Sequence, residues 1–233
     1  MNLKNKVIIL TGAARIGIDV AKALLKRGVK LAVVFQNKKP NLGPKALYIK
    51  ADLTKENEVQ KVVDETKKHF DRVDGLVHMA ATYYRTPWNE LNDEAWQKSM
   101  RPIVRSAFLL GKAVGDELLK NKEGKIILFS DWSVLNKPYK DYLTYNVAKS
   151  AVVGMTKSLA IELAPKISVN CIAPGPILKP DNLSEKENRE VLANTPLQRW
   201  GGEGEITKAV LYLLEADFVT GQVLYVDGGR SVA

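Results

Sequence analysis

Short apolar runs alternate with longer stretches of helical periodicity from one end of the chain to the other. The apolar runs carry too few polar residues for a sheet with one face in water, so helices must cover both faces. The alternation therefore predicts an α/β fold, a three-layer, doubly wound parallel sheet of about seven strands joined by crossover helices. We predict strands over residues 6–11, 30–35, 46–50, 73–80, 125–131, 167–173 and 222–227. We predict helices over residues 16–27, 55–70, 92–120, 142–163 and 203–216.

One connection interrupts this alternation. Residues 36–45 contain Pro40, Gly43 and Pro44, which are incompatible with a regular crossover helix, so we predict an irregular loop there. The rest of the sequence has no internal repeat and no linker. We therefore predict that residues 1–233 form a single domain.

The composition excludes several classes of protein. Of the 233 residues 45% are hydrophobic, and a chain of this length buries roughly 70 to 75% of its unfolded surface, which excludes disorder. The net charge is +9, from 35 Lys and Arg against 26 Asp and Glu, yet no basic block of five residues occurs. Scattered lysines favour a solvated surface over a nucleic-acid partner. The longest apolar run, residues 209–214, is far shorter than a membrane span of ~20 residues, so we predict no membrane partner.

Cysteine and histidine usage indicates the compartment and argues against a metal. The single cysteine, Cys171, lies in an apolar stretch, has no partner for an internal disulfide and fits a reducing compartment. No apolar signal-peptide region follows the basic N-terminal residues, so we expect a cytoplasmic protein. The two histidines, His69 and His78, lie in separate predicted elements, so we predict no metal site.

The first predicted strand runs directly into a turn of small residues. Thr11 and Gly12 end the strand, Arg15 follows in the turn, and Ile16 and Gly17 begin the next predicted helix. Small residues at a strand-to-helix turn let backbone amides and the positive end of the helix approach a pyrophosphate. The turn therefore predicts a site for a dinucleotide.

Further motifs follow this glycine turn in order. They are Asp52-Leu53-Thr54, Tyr145 with Lys149 four residues later, Pro174-Gly175, Val219-Thr220-Gly221 and Asp227-Gly228-Gly229. In this order and spacing the chain resembles the short-chain dehydrogenase/reductase family over nearly its whole length. The resemblance implies a Rossmann-type fold, a nicotinamide cofactor, a small-molecule substrate and a homo-oligomer, either a dimer or a tetramer. It also implies cofactor contacts from Thr11, Gly12, Ile16, Gly17, Leu53, Ala80, Tyr145, Lys149, Pro174 and Gly175.

Tyr145 and Lys149 form the predicted catalytic pair. Residues four apart on a helix share one face about 6 Å apart, so the Lys149 ammonium is predicted to lie near the Tyr145 phenol. Lowering a tyrosine pKa from ~10 to about 7 needs roughly 4 kcal/mol, which the ammonium and a cationic nicotinamide are predicted to supply together. Tyr145 is then the general acid. The family resemblance adds a hydrogen bond from Lys149 to the nicotinamide ribose.

Asp131 occupies the place where most family members have a substrate-binding serine. An aspartate there resembles the pteridine reductase branch of the family, because a carboxyl group can pair with the amino and ring N–H groups of a pterin. We therefore predict that Asp131 is catalytic and binds substrate together with Trp132. The spacing from Asp131 to Tyr145 is 14 residues, one more than expected, so Ser130 and Ser133 remain alternatives for the serine role.

Tyr83 is the predicted stacking ring for a flat substrate. It follows the strand over residues 73–80, and this segment resembles the pteridine reductase segment that places an aromatic ring beside the nicotinamide. The alternative is an aromatic loop that packs on the rim of the cleft.

The end of the second strand indicates which dinucleotide binds. An acidic residue there would bind the adenosine 2′-hydroxyl of NAD, but the position is Gln36, followed by Lys38 and Lys39. NADPH is therefore favoured, its 2′-phosphate held by Arg15 and by Lys38 or Lys39. The resemblance further implies that Asp52 contacts the adenine amino group and that the main chain of Ile177 holds the carboxamide.

Several positions depart from the family pattern. The glycine turn is one residue shorter than usual, and Ile103 stands where members place the asparagine of a proton relay. We predict an NADPH-dependent reductase of a C=N or C=O carbon, with a pteridine or dihydrofolate as substrate and residues 180–195 as a mobile lid. One alternative is a ketoreductase of a ketone or 3-oxoacyl thioester, because residues 196–201 resemble a segment common in the ketoacyl reductases. The other alternative is a non-catalytic NADPH sensor.

Overall fold

A seven-stranded parallel sheet forms the centre of the protein. The computed structural model describes residues 1–134 and 137–233. The strands are β1 (Val7–Thr11), β2 (Lys30–Phe35), β3 (Ala46–Lys50), β4 (Gly75–His78), β5 (Gly124–Phe129), β6 (Ile167–Pro174) and β7 (Val223–Val226). Their order across the sheet is β3-β2-β1-β4-β5-β6-β7. The predicted doubly wound, Rossmann-type fold is confirmed.

Helices cover both faces of this sheet and complete the three layers. They are α1 (Ile16–Lys26), α2 (Glu56–Phe70), α3 (Asp93–Ser99), α4 (Ser106–Leu118), α5 (Leu143–Glu162), α6 (Glu185–Ala193) and α7 (Glu203–Glu215). Successive strand residues point to opposite faces, so Ile8 and Leu10 of β1 pack with α1 and α7, whereas Ile9 packs with α2, α4 and α5. Both faces of the sheet are therefore buried, which explains why its strands are apolar throughout.

The strand order places a crevice at the carboxyl ends of the strands. The chain proceeds from β1 outward to β2 and β3, then crosses back to β4 on the other side of β1. Such a switch point is where ligands bind in open α/β sheets. The loops that follow β1, β4, β5 and β6 meet at this edge, and they carry the glycine turn, Tyr83, Asp131 and Gly175.

The predicted helix over residues 92–120 is interrupted by a π-helical segment, Met100–Arg105. Pro102 causes the interruption, because it has no N–H to donate to the carbonyl of Lys98 four residues earlier. The Thr82 hydroxyl donates to that carbonyl at 3.1 Å instead. Ile103 lies in this segment and is buried, so its side chain supplies no polar group for the family's proton relay.

The irregular loop predicted over residues 36–45 and the substrate lid predicted over residues 180–195 differ in their secondary structure. Residues 36–45 contain no helix, as predicted, and the Tyr48 hydroxyl joins the backbone of Leu42 and Gly43 within that loop. Residues 180–195, in contrast, contain helix α6. Its N-terminus has a capping box in which Ser184 and Glu187 exchange hydrogen bonds. Within the described residues, no helix combines the length and the apolar character needed to cross a membrane.

Candidate active site

The glycine turn between β1 and α1 is packed too closely for side chains. A Cβ on Gly12, whose φ is +72°, would lie 2.7 Å from the backbone of Met79 and Ala80. A Cβ on Gly17 would lie 2.1 Å from the carbonyl oxygen of Gly12. The turn therefore presents bare backbone and the N-terminus of α1 to the crevice, which is the arrangement that accepts a pyrophosphate.

Arg15 carries the strain of this shortened turn. Its φ of 47° and ψ of −117° belong to a conformation that glycine adopts readily and other residues avoid. The turn has one residue fewer than the family pattern, and Arg15 takes up the sharp bend immediately before α1 begins at Ile16.

Two cavities lie on either side of the glycine turn. The first, here the β2-side cavity, has a volume of about 500 Å³, and the second, here the tyrosine cavity, about 560 Å³. Predicted site residues that line the β2-side cavity are Thr11, Gly12, Gln36, Lys38, Asp52, Leu53 and Ala80. Those that line the tyrosine cavity are Gly12, Arg15, Ile16, Gly17, Tyr83, Asp131, Trp132, Tyr145, Lys149, Gly175, Ile177 and Pro174. The structure thus brings these predicted site residues to one crevice.

The three basic residues predicted near a 2′-phosphate are not equivalent. Only Lys38 lines the β2-side cavity. The Lys39 ammonium lies 4.3 Å above the centre of the Tyr48 ring, in a cation–π contact. Arg15 lines the tyrosine cavity, on the other side of the glycine turn. The predicted contact of a 2′-phosphate with Arg15 and with Lys38 or Lys39 stays a prediction, and of the two lysines Lys38 is the one at the cavity.

Asp52 is held as a carboxylate at the end of β3. Its Oδ1 accepts hydrogen bonds from the amide and the hydroxyl of Thr54, at 3.0 and 2.8 Å. Partial burial acts to raise the pKa of Asp52, but the Thr54 hydrogen bonds and the Lys55 ammonium together hold it below its ordinary value. This arrangement fixes the Asp52 side chain at the rim of the β2-side cavity.

His78 joins the glycine turn to helix α4 through buried hydrogen bonds. Its Nδ1 lies 2.9 Å from the Thr11 hydroxyl oxygen and its Nε2 lies 3.1 Å from the Ser106 hydroxyl oxygen. The Thr11 hydroxyl oxygen also accepts from the amide of Ala80 at 3.1 Å. Burial, with a smaller effect from the Lys149 ammonium, lowers the pKa of His78 to about 3, so the ring is neutral at pH 7. Sequence analysis assigned no role to this residue.

Tyr145, Asp131 and Ser133 form a hydrogen-bonded chain in the tyrosine cavity. The Tyr145 hydroxyl donates to Oδ2 of Asp131 at 2.8 Å. The other oxygen, Oδ1, accepts from the amide and the hydroxyl of Ser133 at 2.9 and 2.7 Å. Ser130 instead donates to the backbone carbonyl of Lys149 at 2.9 Å. Of the three residues considered for the serine role, Asp131 is the one in contact with Tyr145.

Lys149 is buried on the same face of α5 as Tyr145. Its ammonium donates to the carbonyl of Phe129 at 2.8 Å and lies 5.9 Å from the centre of the Tyr145 ring. Burial lowers the pKa of Lys149 to about 8, although Asp131 and Cys171 act in the opposite direction. Lys149 therefore loses its charge far more easily than an exposed lysine.

The pKa of Tyr145 in this structure is shifted upward, opposite to the lowering predicted for Tyr145 beside both Lys149 and a nicotinamide. Burial, followed by the charge and hydrogen bond of Asp131, raises the pKa of Tyr145 well above its ordinary value. Burial is the larger cause, and Asp131 adds to it because its carboxylate accepts a hydrogen bond from the phenol, whereas the Lys149 ammonium donates to a backbone carbonyl. Tyr145 is consequently a protonated phenol at neutral pH.

Aromatic rings surround the Tyr145 phenol. Tyr83 stacks on Tyr142 with ring centres 4.6 Å apart and meets Tyr145 edge-on at 4.9 Å. The Trp132 indole donates to the Tyr139 hydroxyl at 2.6 Å. Sequence analysis missed Tyr139 and Tyr142, although both precede Tyr145 at intervals of three residues. Tyr83 thus lies beside Tyr145 with one of its faces covered by Tyr142, and its stacking on a flat substrate stays a prediction.

The segment after β6 forms the opposite wall of the tyrosine cavity. A Cβ on Gly175 would lie 2.5 Å from Cα of Asp227, so only glycine fits there. The Asp227 carboxylate accepts from the amides of Gly229 and Ser231, at 3.0 and 2.7 Å, which orders the turn that follows β7. Ile177 is buried against this wall, with its backbone at the cavity.

Metal chemistry has no evident centre in the described part of the chain. Residues 1–134 and 137–233 contain no group of three or more His, Cys, Asp or Glu side chains arranged to hold a metal ion. The lone thiol, Cys171, is buried in β6, and burial raises its pKa to about 11.

Comparison with known proteins identifies the class to which this fold and site belong. A family model described as Enoyl-(Acyl carrier protein) reductase matches residues 12–231. The 3-oxoacyl-(acyl-carrier-protein) reductase of Buchnera aphidicola subsp. Baizongia pistaciae is 33% identical, over 98% of this chain and 98% of that protein. A (2S)-((R)-hydroxy(phenyl)methyl)succinyl-CoA dehydrogenase subunit of Thauera aromatica is 32% identical, over 100% of this chain and 99% of its own.

Solved structures agree with these relatives. The ligand-free aldohexose dehydrogenase of Thermoplasma acidophilum superposes with a TM-score of 0.92 at 26% identity, over 99% of this chain and 96% of that chain. Fold, site and relatives together define an oxidoreductase with a nicotinamide cofactor. The chain belongs to the short-chain dehydrogenase/reductase family. These comparisons do not support placing it in the pteridine reductase branch.

Proposed function

We propose that the protein is an NADPH-dependent ketoreductase that reduces a ketone or 3-oxoacyl thioester to the corresponding alcohol. The observation that carries this proposal is the Tyr145 phenol, protonated and hydrogen-bonded to Asp131 at 2.8 Å inside a cavity that also contains Lys149. The relatives reported above act on alcohol and ketone groups according to their names, which favours this activity over pterin reduction.

The crevice has the features that a nicotinamide dinucleotide requires. The bare backbone at Gly12 and Gly17 accommodates the pyrophosphate, since a Cβ at either position would fill the cradle. The β2-side cavity accommodates the adenosine, with Asp52 at its rim and Lys38 as the cation for a 2′-phosphate. The cavity ends at Gln36, which carries no charge to repel that phosphate, so NADPH is favoured over NADH. The bound nicotinamide supplies the hydride.

Tyr145 holds the proton that the product alcohol needs. Because burial and Asp131 raise its pKa, the phenol is fully protonated at neutral pH and can donate to the oxygen of a bound ketone. Ser133 fixes Asp131 through two hydrogen bonds, so the carboxylate keeps the phenol pointed into the cavity until substrate replaces it as the acceptor. The Lys149 ammonium then offsets the negative charge that develops on the Tyr145 oxygen.

The proposal is tested by oxidation of NADPH in the presence of methyl acetoacetate, an acetoacetyl thioester and dihydrobiopterin. The wild-type protein is expected to reduce at least one of the first two, and Tyr145→Phe to lose that activity while its NADPH dissociation constant stays within about threefold. Tyr212→Phe is the matched control, since Tyr212 is an exposed tyrosine on α7.

Two outcomes would contradict the proposal. Faster turnover of dihydrobiopterin than of either oxo compound would restore the pteridine reductase assignment. Tight NADPH binding without turnover of any compound in a wider panel of ketones would favour a non-catalytic NADPH sensor.

A further inference from the structure

Arg230 brings a second cationic group into the tyrosine cavity from the turn that follows β7. It is half-buried, and its guanidinium carbon lies 4.9 Å above the centre of the Trp132 ring. Its Nη1 donates to the carbonyl of Val191 at 3.0 Å and to the hydroxyl of Thr195 at 3.4 Å. A stacked ring and two neutral acceptors thus fix the plane of the guanidinium.

The guanidinium has no anionic partner in the described part of the chain. No carboxylate oxygen of residues 1–134 or 137–233 forms an ion pair with it, and its Nε and Nη2 atoms have no hydrogen-bond acceptor among those residues. The nearby carboxylate of Asp227 is occupied by two backbone amides. Two adjacent N–H groups of Arg230 therefore remain available in the geometry that binds a carboxylate with two parallel hydrogen bonds.

The charged side chains that line the tyrosine cavity carry a net positive charge. They comprise three cations, Arg15, Lys149 and Arg230, and one carboxylate, Asp131. Asp131 already accepts hydrogen bonds from Tyr145 and Ser133. Arg15 lies at the glycine turn, where the pyrophosphate of the proposed cofactor would be its partner. Arg230 lies instead beside Trp132 and α6, at the outer wall of the cavity.

We propose that Arg230 is a specificity-determining residue that binds a carboxylate on the ketone substrate. The inference rests on the proposed ketoreductase function and narrows its substrate class to oxo acids. A carboxylate on Arg230 and a carbonyl oxygen at Tyr145 would be two anchor points in one cavity, and two anchors orient a small ketone better than one.

The test compares oxo acids with their methyl esters. Pyruvate, acetoacetate and 4-oxopentanoate place the carbonyl at increasing distances from the carboxylate, and esterification removes the charge at nearly constant shape. In the wild type, at least one acid is expected to exceed its ester in kcat/KM. Arg230→Gln should lower kcat/KM for that acid by about 50-fold, mainly through KM, and for the ester by less than about threefold. The kcat/KM of Arg230→Lys for that acid should lie between those of the wild type and Arg230→Gln, because lysine keeps the positive charge but lacks the two parallel N–H groups of the guanidinium.

Arg199→Gln is the matched control, because Arg199 is exposed, pairs with Glu205 and does not line the tyrosine cavity. The proposal is overturned if Arg230→Gln lowers kcat/KM for the acid and for its ester by the same factor. It is also overturned if every ester has a higher kcat/KM than its acid in the wild type. A loss of NADPH affinity in Arg230→Gln would assign the residue to the cofactor instead.

A binding measurement separates this proposal from the proposed activity. Calorimetry with butanoate and pentanoate, which have no carbonyl to reduce, is carried out on the protein saturated with NADP⁺. Binding to the wild type that is lost in Arg230→Gln supports the carboxylate site even if no ketone is turned over. Equal binding to both proteins, or to neither, contradicts it.

Discussion

The phenol of Tyr145 donates its hydrogen bond to the Asp131 carboxylate, 2.8 Å away, whereas the Lys149 ammonium points to the carbonyl of Phe129. After burial, the strongest effect on the ionisation of Tyr145 is therefore that of Asp131 and not that of Lys149. A negative charge at this distance keeps the phenol protonated, which suits a proton donor in the direction of reduction.

Removal of the Asp131 charge should move the alkaline limb of the pH profile to lower pH. Reduction needs a protonated Tyr145, and Asp131 raises the pKa of both Tyr145 and Lys149, so Asp131→Asn lowers both values. We expect kcat/KM to decline at lower pH in the variant than in the wild type, by about one pH unit or more. Asp141→Asn is the control, because Asp141 pairs with the exposed Arg85. If the alkaline limb stays at the same pH or moves to higher pH in Asp131→Asn, the Asp131 carboxylate does not control the pKa of Tyr145.

Lys38 and Lys39 should differ in their effect on cofactor preference. Lys38 lines the β2-side cavity, whereas the Lys39 ammonium is placed over Tyr48. Lys38→Ala is expected to reduce the preference for NADPH over NADH by about tenfold, a modest value for an exposed charge, and Lys39→Ala by less than twofold. Dissociation constants of both nucleotides at two salt concentrations measure this. If Arg15→Ala reduces the preference for NADPH over NADH more than Lys38→Ala does, Arg15 is the main contact of the 2′-phosphate.

The conformation of Arg15 predicts an unusual ranking of stability. With φ at 47° and ψ at −117°, a Cβ at position 15 is strained, and glycine removes that strain. Arg15→Gly should therefore be more stable than Arg15→Ala by about 1 kcal/mol, although glycine normally costs stability elsewhere. Urea unfolding of the two variants gives the comparison directly, because both lack the guanidinium. The reverse order would mean that the turn relaxes to accept a side chain.

His78 should make the protein sensitive to acid. Its pKa is about 3 in the folded state and 6.5 in the unfolded chain, so the unfolded state binds a proton between these values and the folded state does not. Stability is therefore lost as pH falls from about 6.5 toward 3, by up to about 3 kcal/mol at pH 4.5 from this residue alone. His78→Asn should show a smaller fall in urea-unfolding free energy between pH 7 and 4.5. The exposed His69→Asn is the control and should match the wild type.

The sheet and most of its crossovers could be predicted because each strand is a short apolar run between helical stretches. The seven strands are those expected, and their ends differ by a few residues, as at β4, which ends at His78 rather than at residue 80. The glycine turn and the Tyr145–Lys149 pair could be predicted from local sequence and Asp131 from the family resemblance, and the structure brings them to one crevice. The predicted homo-oligomer and cytoplasmic location remain predictions.

What the sequence could not show depends on contacts between distant segments. The raised pKa of Tyr145 follows from burial of the phenol and from the Asp131 carboxylate beside it, which spacing on a helix does not determine. Arg230 is 85 residues from Tyr145 in sequence and reaches the same cavity through the turn ordered by Asp227. Pro102 was visible in the sequence, but the hydrogen bond that the Thr82 hydroxyl donates to the Lys98 carbonyl was not.

Helix α6 has a consequence for how large molecules reach the active site. None of its residues is buried, and its capping box at Ser184 and Glu187 pairs backbone groups at its N-terminus. Its side-chain links to the wall of the cavity include Asn188 with Trp200 and Val191 with Arg230. We therefore expect α6 to move outward as a rigid helix, with the loss of a few hydrogen bonds. Large and small ketones would then enter the tyrosine cavity through the same opening, and the helical content of the protein would not change.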